Sequence, residues 1–215
     1  MRTDRSLTRA TQRRYDRIAP VYDTAEAPIE GLFYASWRRR LWSGIKGPDI
    51  LEVGVGTGRN MSYYPAGARV VAIDLSRKML SRAEERAEML HLEVDLRQMD
   101  VEDLTFPPDS FDTVVASFVF CSVADPILGL REVARVCKPE GEVRLLEHMR
   151  ARNRVLRLMM DIVNPIAVRM WGANVNRPTM QNIESAGLEV IQTEDLTVQG
   201  IFRLIVARPV GESDD

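Results

Sequence analysis

The glycine-rich segment at residues 50–60 limits the choice of fold more than any other part of the chain. An apolar run ends at Glu52 and is followed by Gly54, Gly56 and Gly58 at alternate positions. Because glycine tolerates positive φ and lets a ligand approach the backbone, this pattern predicts a buried strand that turns sharply into a helix. The free amide N–H groups at such a turn favour a nucleotide-like ligand.

The spacing of these glycines distinguishes between classes of nucleotide site. The dinucleotide fingerprint G-x-G-x-x-G would require a third glycine at position 59, where the chain has Arg59. The observed pattern also lacks the Lys-Ser/Thr pair of a phosphate-binding loop. A second apolar run ends at Asp74, twenty residues after Gly54. An acid at that distance is placed to accept hydrogen bonds from ribose hydroxyls.

Four motifs, in order and at matching spacing, resemble those of the class I S-adenosylmethionine-dependent methyltransferases. Residues 52–58 resemble the first motif, Asp74 the acid that binds the ribose, and residues 74–80 the segment along the adenine. Residues 99–102 resemble the end of the third strand, which binds the adenine edge. The resemblance covers roughly residues 10–208 and implies that the cofactor is S-adenosyl-L-methionine.

The expected cofactor-binding residues follow from this resemblance and from the position of ligands outside the carboxyl ends of parallel strands. Asp100 is also a candidate helix cap before Glu102, and both interpretations stay open. The residues that we expect to contact the cofactor are Tyr15, Glu52, Gly54, Gly56, Gly58, Asn60, Asp74, Leu75, Met79, Asp100, Val101 and Ser117.

Strands and helices are predicted to alternate along the chain, which is typical of an α/β fold with a doubly wound parallel sheet. The resemblance implies the seven-stranded, mostly parallel, Rossmann-like sheet of that family, with N-terminal helices and a lid insertion after strand 5. A helix is expected at 75–90, and another from Asp125, its N-cap, to Cys137, with a turn at 139–141. The predicted strands are 49–53, 69–74, 92–98, 111–118 and 142–147, followed by an antiparallel pair at 188–193 and 201–208.

Length, charge and cysteine content exclude several classes of protein. The net charge of −2 excludes a polyelectrolyte binder, and Cys121 and Cys137 have no metal-ligand spacing, so no metal is expected. Neither a signal peptide nor a membrane-spanning run is apparent, which indicates a cytoplasmic protein. The 215 residues suit one methyltransferase domain at 1–208, with a helical cap at 1–46, a lid insertion at 148–178 and a disordered tail at 209–215.

Nucleic acid is not expected as a substrate. Methyltransferases that act on the amino groups of bases resemble one another in an Asp/Asn-Pro-Pro-aromatic tetrad after the fourth strand. This chain has Ser-Phe-Val-Phe at residues 117–120. No basic stripe with interleaved aromatic residues is apparent either.

Residues 15–23 resemble the Y-x-x-x-A-x-x-Y-D segment that caps the cofactor in many small-molecule methyltransferases. The alternative is an amphipathic helix that breaks at Pro20 and packs on the domain. The faces of Tyr15 and Tyr22 are suited to stabilise a sulfonium cation by about 0.5–2 kcal/mol, although they are equally suited to plain packing.

The segment after the fifth strand indicates the substrate class. Residues 152–171 have a helical pattern, with a break expected at Pro165, and combine apolar side chains with several arginines. This composition resembles the bacterial phosphatidylethanolamine N-methyltransferases and, nearly as well, the ubiquinone/menaquinone C-methyltransferases. We favour the first group and expect a lipid-borne amine. An ordinary substrate-covering lid is the alternative.

An amine substrate requires a proton acceptor. An alkylammonium with a pKa near 10.4 must lose a proton at a cost of about 4–5 kcal/mol at neutral pH. We expect Glu147, His148 or Tyr22 to be the catalytic residue that accepts it. Glu147 is also suited to bind the ammonium, and His148 to a structural role. A non-catalytic regulator that binds the cofactor is a further alternative.

Two segments predict peripheral contact with an anionic membrane. Phe33, Trp37, Leu41 and Trp42 lie beside the arginines at 38–40. A second apolar stretch with arginines extends over 150–171. Basic residues over an apolar face suit an element that lies at the headgroup level. The alternative is that both apolar faces pack on the sheet.

Overall fold

The chain forms seven strands and six α-helices in the computed structural model, which describes residues 5–151, 153–171, 174 and 176–210. A π-helical turn at Glu30–Tyr34 joins the first two helices. The elements in chain order are α1 (Arg5–Ile29), α2 (Ala35–Trp42), β1 (Asp49–Val53), β2 (Arg69–Asp74), α3 (Arg77–Leu90), β3 (Asp95–Gln98), β4 (Phe111–Ser117), α4 (Pro126–Val136), β5 (Cys137–His148), α5 (Arg154–Trp171), α6 (Thr179–Ser185), β6 (Leu188–Asp195) and β7 (Phe202–Pro209).

The strands form one sheet in the order β3-β2-β1-β4-β5-β7-β6. The first five strands pair in parallel, whereas β7 is antiparallel to both β5 and β6. The order reverses between β1 and β4, and ligands bind at such switch points in open α/β sheets. The predicted doubly wound, mostly parallel sheet of seven strands is confirmed.

Apolar residues of β1 are buried on both faces of the sheet, as helices on either side require. Leu51 packs in a cluster with Leu130 and Val133 of α4. Its neighbour Ile50 points to the opposite face, where Trp37 and Leu41 of α2 pack.

The burial of α2 contradicts part of the predicted membrane surface. Trp37, Leu41 and Trp42 are 7%, 0% and 4% exposed, so the apolar face of α2 belongs to the core. Arg38 is buried as well, at 6% exposure. The packing alternative is therefore correct for this helix, because its apolar face has a sheet to cover.

Neither predicted proline break occurs. The helix α1 continues through Pro20 and α5 through Pro165. Both prolines lie on the exposed side of their helices. Proline has no N–H, so the carbonyl four residues earlier has no donor in the helix, and water can donate a hydrogen bond to it instead.

Several boundaries differ from those predicted. The expected turn at 139–141 lies inside β5, which begins at Cys137 rather than residue 142 and has a register shift opposite Phe111 and Thr113. The strand β3 is shorter than predicted, and α3 begins after Ser76, whose hydroxyl accepts the Met79 N–H. The predicted N-cap Asp125 is confirmed by its bonds from two N–H groups. Most of the predicted tail lies outside the described residues.

Candidate functional site

A cavity that opens to solvent lies at the carboxyl edge of the sheet, beside the reversal in strand order; the space within it and at its mouth is about 770 Å³. The ends of β1, β2 and β4 and the loops after β3 and β4 form its walls, and α1 covers it. The described residues that line it are Thr8, Thr11, Tyr15, Tyr22, Val53, Gly54, Gly56, Ile73, Asp74, Leu75, Met79, Met99, Asp100, Val101, Glu102, Ser117, Phe118, Val119, Ser122, Val123 and Ala124.

The glycines of the turn have the positive φ that their sequence predicts, but the α-helix expected after them is absent. Only a 3₁₀ turn at Met61–Tyr63 follows, because Tyr64 is extended before Pro65. Gly54, Gly56 and Gly58 have φ values of 67°, 57° and 80°. A Cβ at Gly54 would lie 2.4 Å from a methyl of Val119, whereas a Cβ at Gly56 would meet nothing within 4 Å. The backbone at Gly56 is therefore open toward the cavity, as a closely approaching nucleoside requires.

Asp74 lies at the tip of β2 and lines the cavity, together with Leu75 and Met79. Its carboxylate accepts the Gly56 N–H at 2.9 Å and the Ser76 N–H at 2.8 Å. Burial raises its pKa to about 6, although these backbone bonds oppose the increase. Asp74 therefore holds the glycine turn in place, and its predicted contact with ribose hydroxyls stays a prediction.

Asp100 forms a local turn at the edge of the cavity. Its Oδ1 accepts the Glu102 N–H at 3.0 Å, but residues 101–103 form a turn and no helix, so the helix-cap interpretation is wrong. The residue also lines the cavity beside Val101, and its contact with the cofactor stays a prediction. Burial raises the pKa of Asp100. Glu102, the last residue of the segment 99–102 that resembles the adenine-binding strand end, lines the cavity too.

Three residues expected at the cofactor lie behind the cavity wall: Glu52, Gly58 and Asn60 are absent from its described lining. The Asn60 amide donates to Glu52 Oε1 at 2.6 Å and to Ser117 Oγ at 3.0 Å. Tyr64 donates to the other carboxylate oxygen of Glu52. Burial raises the Glu52 pKa to about 7. This buried network supports the turn from behind.

Arg38 joins that network, which the sequence analysis missed. Its Nη1 donates to Asn60 Oδ1 at 3.0 Å and to the cavity-lining Ser117 Oγ at 2.9 Å, and its Nε donates to Glu30 at 3.2 Å. The sequence contains a signal for the burial of Arg38. Arg38 follows Tyr34 by four residues and precedes Leu41 by three, so all three lie on one face of the helix. An arginine on the buried face of a helix needs such partners.

The helix α1 lies across the cavity and is held there by its polar side chains. The hydroxyl groups of Tyr15 and Ser122 are 3.0 Å apart. Asp16 accepts the Ser76 hydroxyl at 2.6 Å. Asp23 accepts the Thr57 hydroxyl at 2.6 Å, and Arg86 and Arg59 donate to the same carboxylate. The Y-x-x-x-A-x-x-Y-D segment thus covers the site that the glycine turn opens.

Of the three predicted proton acceptors, only Tyr22 lines the cavity. Glu147 is fully buried, and its Oε1 accepts the N–H groups of Val119 and Phe120 at 2.9 and 3.0 Å. Burial raises its pKa to about 7. The ring of His148 packs edge-on against Phe202 at 4.9 Å. This geometry favours Glu147 as the residue that positions the loop after β4.

The described part of the chain contains no cluster of three or more His, Cys, Asp and Glu side chains able to hold a metal ion. Nor does any described helix have the length and apolar character needed to cross a membrane.

Comparison with known proteins gives consistent matches. Residues 51–145 match a family described as a methyltransferase domain. A phosphatidylethanolamine N-methyltransferase of Cereibacter sphaeroides is 41% identical over 143 residues, which cover 65% of this chain and 68% of that protein. A demethylmenaquinone methyltransferase of Lactobacillus johnsonii is 30% identical over 175 residues, which cover 75% of this chain and 71% of that protein.

A solved structure supports the fold. It is a SAM-dependent methyltransferase from Thermotoga maritima, which matches with a TM-score of 0.69 at 20% identity. The match covers 91% of this chain and 98% of that one. At this identity the likeness supports the fold and carries no argument about the substrate.

Proposed function

Because this chain belongs to the class I S-adenosylmethionine-dependent methyltransferases, we propose that it methylates the amine of a membrane lipid, namely phosphatidylethanolamine. The carrying observation is an apolar, solvent-facing surface on α5, the helix that follows the fifth strand. A relative that is 41% identical is named for phosphatidylethanolamine N-methylation, which supports the same substrate.

The residues around the cavity fit the cofactor. Bound S-adenosyl-L-methionine supplies an electrophilic methyl group on a sulfonium. Gly56 leaves space for the nucleoside, Asp74 offers carboxylate oxygens to the ribose, and Asp100 offers an acceptor to the adenine amino group. Tyr15 and Tyr22 line the cavity from α1, where they would shield the bound cofactor from water. This alignment of reacting groups is the main contribution that we assign to the protein.

The apolar surface of α5 supports contact with a bilayer. Its spacing, at i, i+3, i+4, i+7 and i+8, defines one continuous helix face, with Arg150, Arg154 and Arg157 near its start. Such a face suits docking on an anionic membrane. The residues of this face, which we call the α5 apolar face, are Val155, Leu158, Met159, Ile162 and Val163, with exposures between 48% and 67%.

A second candidate function is C-methylation of a quinone precursor. A demethylmenaquinone methyltransferase that is 30% identical over three quarters of this chain favours it. The substrate would again be carried by a membrane, so the α5 apolar face suits both candidates. The two differ in the atom that receives the methyl group, nitrogen or ring carbon.

A methyl-transfer assay distinguishes these candidates. The purified protein is incubated with radiolabelled S-adenosylmethionine and vesicles that contain either phosphatidylethanolamine or a demethylated quinone. We expect label in the phospholipid. Label in the quinone alone would establish the second candidate, and label in neither would contradict both.

Matched variants link that activity to the cavity. Asp74→Ala removes the acceptor at the β2 tip, and we expect cofactor affinity to fall by about 1–3 kcal/mol. Asp112→Ala is the control, because Asp112 pairs with Lys138 at the opposite end of the sheet. Calorimetry that finds unchanged affinity in a folded Asp74→Ala protein would contradict the assigned site.

A further inference from the structure

Tyr22 and Glu26 are neighbouring side chains on the cavity side of α1. They are four residues apart, so their side chains occupy the same helix face. Tyr22 lines the cavity, and its phenol and the Glu26 carboxylate are close enough to shift each other's pKa. The pair therefore connects the cavity to a carboxylate behind its wall.

Glu26 differs from the acids on either side of it. Asp23 accepts bonds from Thr57 and Arg86, and Glu30 is paired with Arg38. In contrast, Glu26 Oε2 is buried and has no hydrogen-bond partner among the described residues. The Arg59 Nε lies 4.0 Å from this oxygen. A buried acceptor without a partner is costly, which points to a hydrogen-bonding role for this side chain.

The charges around Glu26 come from α1, α2 and the glycine turn. Burial raises the Glu26 pKa above its ordinary value, while Tyr22, Arg38 and Arg59 oppose the increase. Burial also raises the Tyr22 pKa, so this phenol keeps its proton at neutral pH. The titratable and charged groups that face the pair are Tyr15, Glu30, Tyr34, Arg38 and Arg59.

We propose that Glu26 receives, through Tyr22, the proton that the lipid ammonium loses before methyl transfer; this inference rests on the proposed function. The ammonium N–H bond breaks as a new O–H bond forms on Tyr22. The original Tyr22 proton passes to Glu26, which leaves a neutral amine and a carboxylic acid. The exposed nitrogen lone pair accepts the methyl group, and Glu26 later returns its proton to solvent.

The geometry favours this route over the other two candidates. Neither Glu147 nor His148 lines the cavity, and one oxygen of Glu147 is already held by two backbone N–H groups. Tyr22 combines a position at the cavity with a neighbouring, partly buried carboxylate that can take its proton. Burial also raises the Glu26 pKa and so brings it closer to the pKa of the substrate ammonium.

The test is the pH dependence of turnover in the full-length protein with phosphatidylethanolamine vesicles. We expect Glu26→Gln and Tyr22→Phe to lower kcat by about 10²-fold near pH 7. In Glu26→Gln, kcat should keep rising about tenfold per pH unit toward the amine pKa, whereas the native protein reaches a plateau once Glu26 is ionised. Glu26→Asp should restore part of the plateau.

Controls separate this role from a structural one. Glu85→Gln makes the same chemical change at an exposed position on α3 and should keep the native profile. Calorimetry should find cofactor affinity within twofold of native in Glu26→Gln. A tenfold loss of that affinity would make Glu26 a ligand of the cofactor and overturn the inference, as would a Glu26→Gln profile parallel to the native one. If the native protein transfers no label to the phospholipid, the proposed function and this inference both fail.

Discussion

At the scale of single residues, the site depends on one backbone conformation that only glycine adopts without strain. Gly56 has positive φ, and its N–H is held by Asp74. No atom would meet a Cβ there, so crowding within the protein does not explain the glycine. The positive φ already favours glycine, and the open space beside it also leaves the backbone accessible to a ligand.

Gly56→Val should therefore abolish cofactor binding by two effects that a control can separate. A β-branched side chain strains the backbone at positive φ and also enters the cavity. Gly67→Val is the matched control, because Gly67 has a φ of 79° and equally open surroundings but does not line the cavity. Calorimetry should find at least a tenfold loss of affinity for Gly56→Val alone. Equal losses in both variants would mean that strain is the whole effect.

At the scale of elements, two helices that combine arginines with apolar residues differ in the burial of their apolar faces. The apolar face of α2 covers the sheet, and its Arg38 supports the cavity wall. The α5 apolar face has the same kind of sequence and is exposed to solvent. Both helices combine arginines with apolar residues, and what differs is whether a sheet face is available for the apolar face to cover.

The exposed face of α5 predicts which substitutions abolish membrane binding. Leu158→Asp with Ile162→Asp should reduce co-sedimentation with anionic vesicles at least tenfold, because two charges enter the apolar surface. Met89→Asp is the control, since Met89 is 71% exposed on α3. Binding should also fall with added salt. Vesicle binding that persists in the double variant would mean that another surface docks.

At the scale of the whole molecule, three buried carboxyl groups make stability depend on pH. Burial raises the pKa of Glu52 to about 7, of Asp74 to about 6 and of Glu147 to about 7. A raised pKa means that the folded state retains protons that the unfolded state has released. The contribution of these groups to stability is complete below about pH 4 and is lost as pH rises through 6–7.

Glu147→Gln isolates one of these groups, because its amide oxygen can still accept the N–H groups of Val119 and Phe120. The free energy of unfolding of this variant, relative to native, should rise by about 1–3 kcal/mol between pH 5 and pH 8. Urea denaturation at the two pH values measures this difference. In the control Glu85→Gln, the free energy of unfolding relative to native should be the same at both pH values. The same result in Glu147→Gln would mean that Glu147 has an ordinary pKa in the folded protein.

Local sequence patterns determined the order of the elements and the cofactor edge of the site. Gly54, Gly56 and Asp74 follow apolar strand runs, and strands that run parallel must end at the same edge. The N-cap at Asp125 is equally local, because its partners are two and three residues away. Such features depend on neighbours along the chain, so the sequence alone was sufficient for them.

Tertiary structure alone decided which faces became buried and which polar groups met. Arg38 reaches Asn60 and Ser117 from 22 and 79 residues away, and no local pattern encodes those distances. The same holds for Glu147, whose position at a strand tip suggested chemistry but whose carboxylate holds the loop after β4. Burial and long-range pairing depend on how whole elements pack, and packing free energy belongs to the assembled sheet and helices rather than to any one segment.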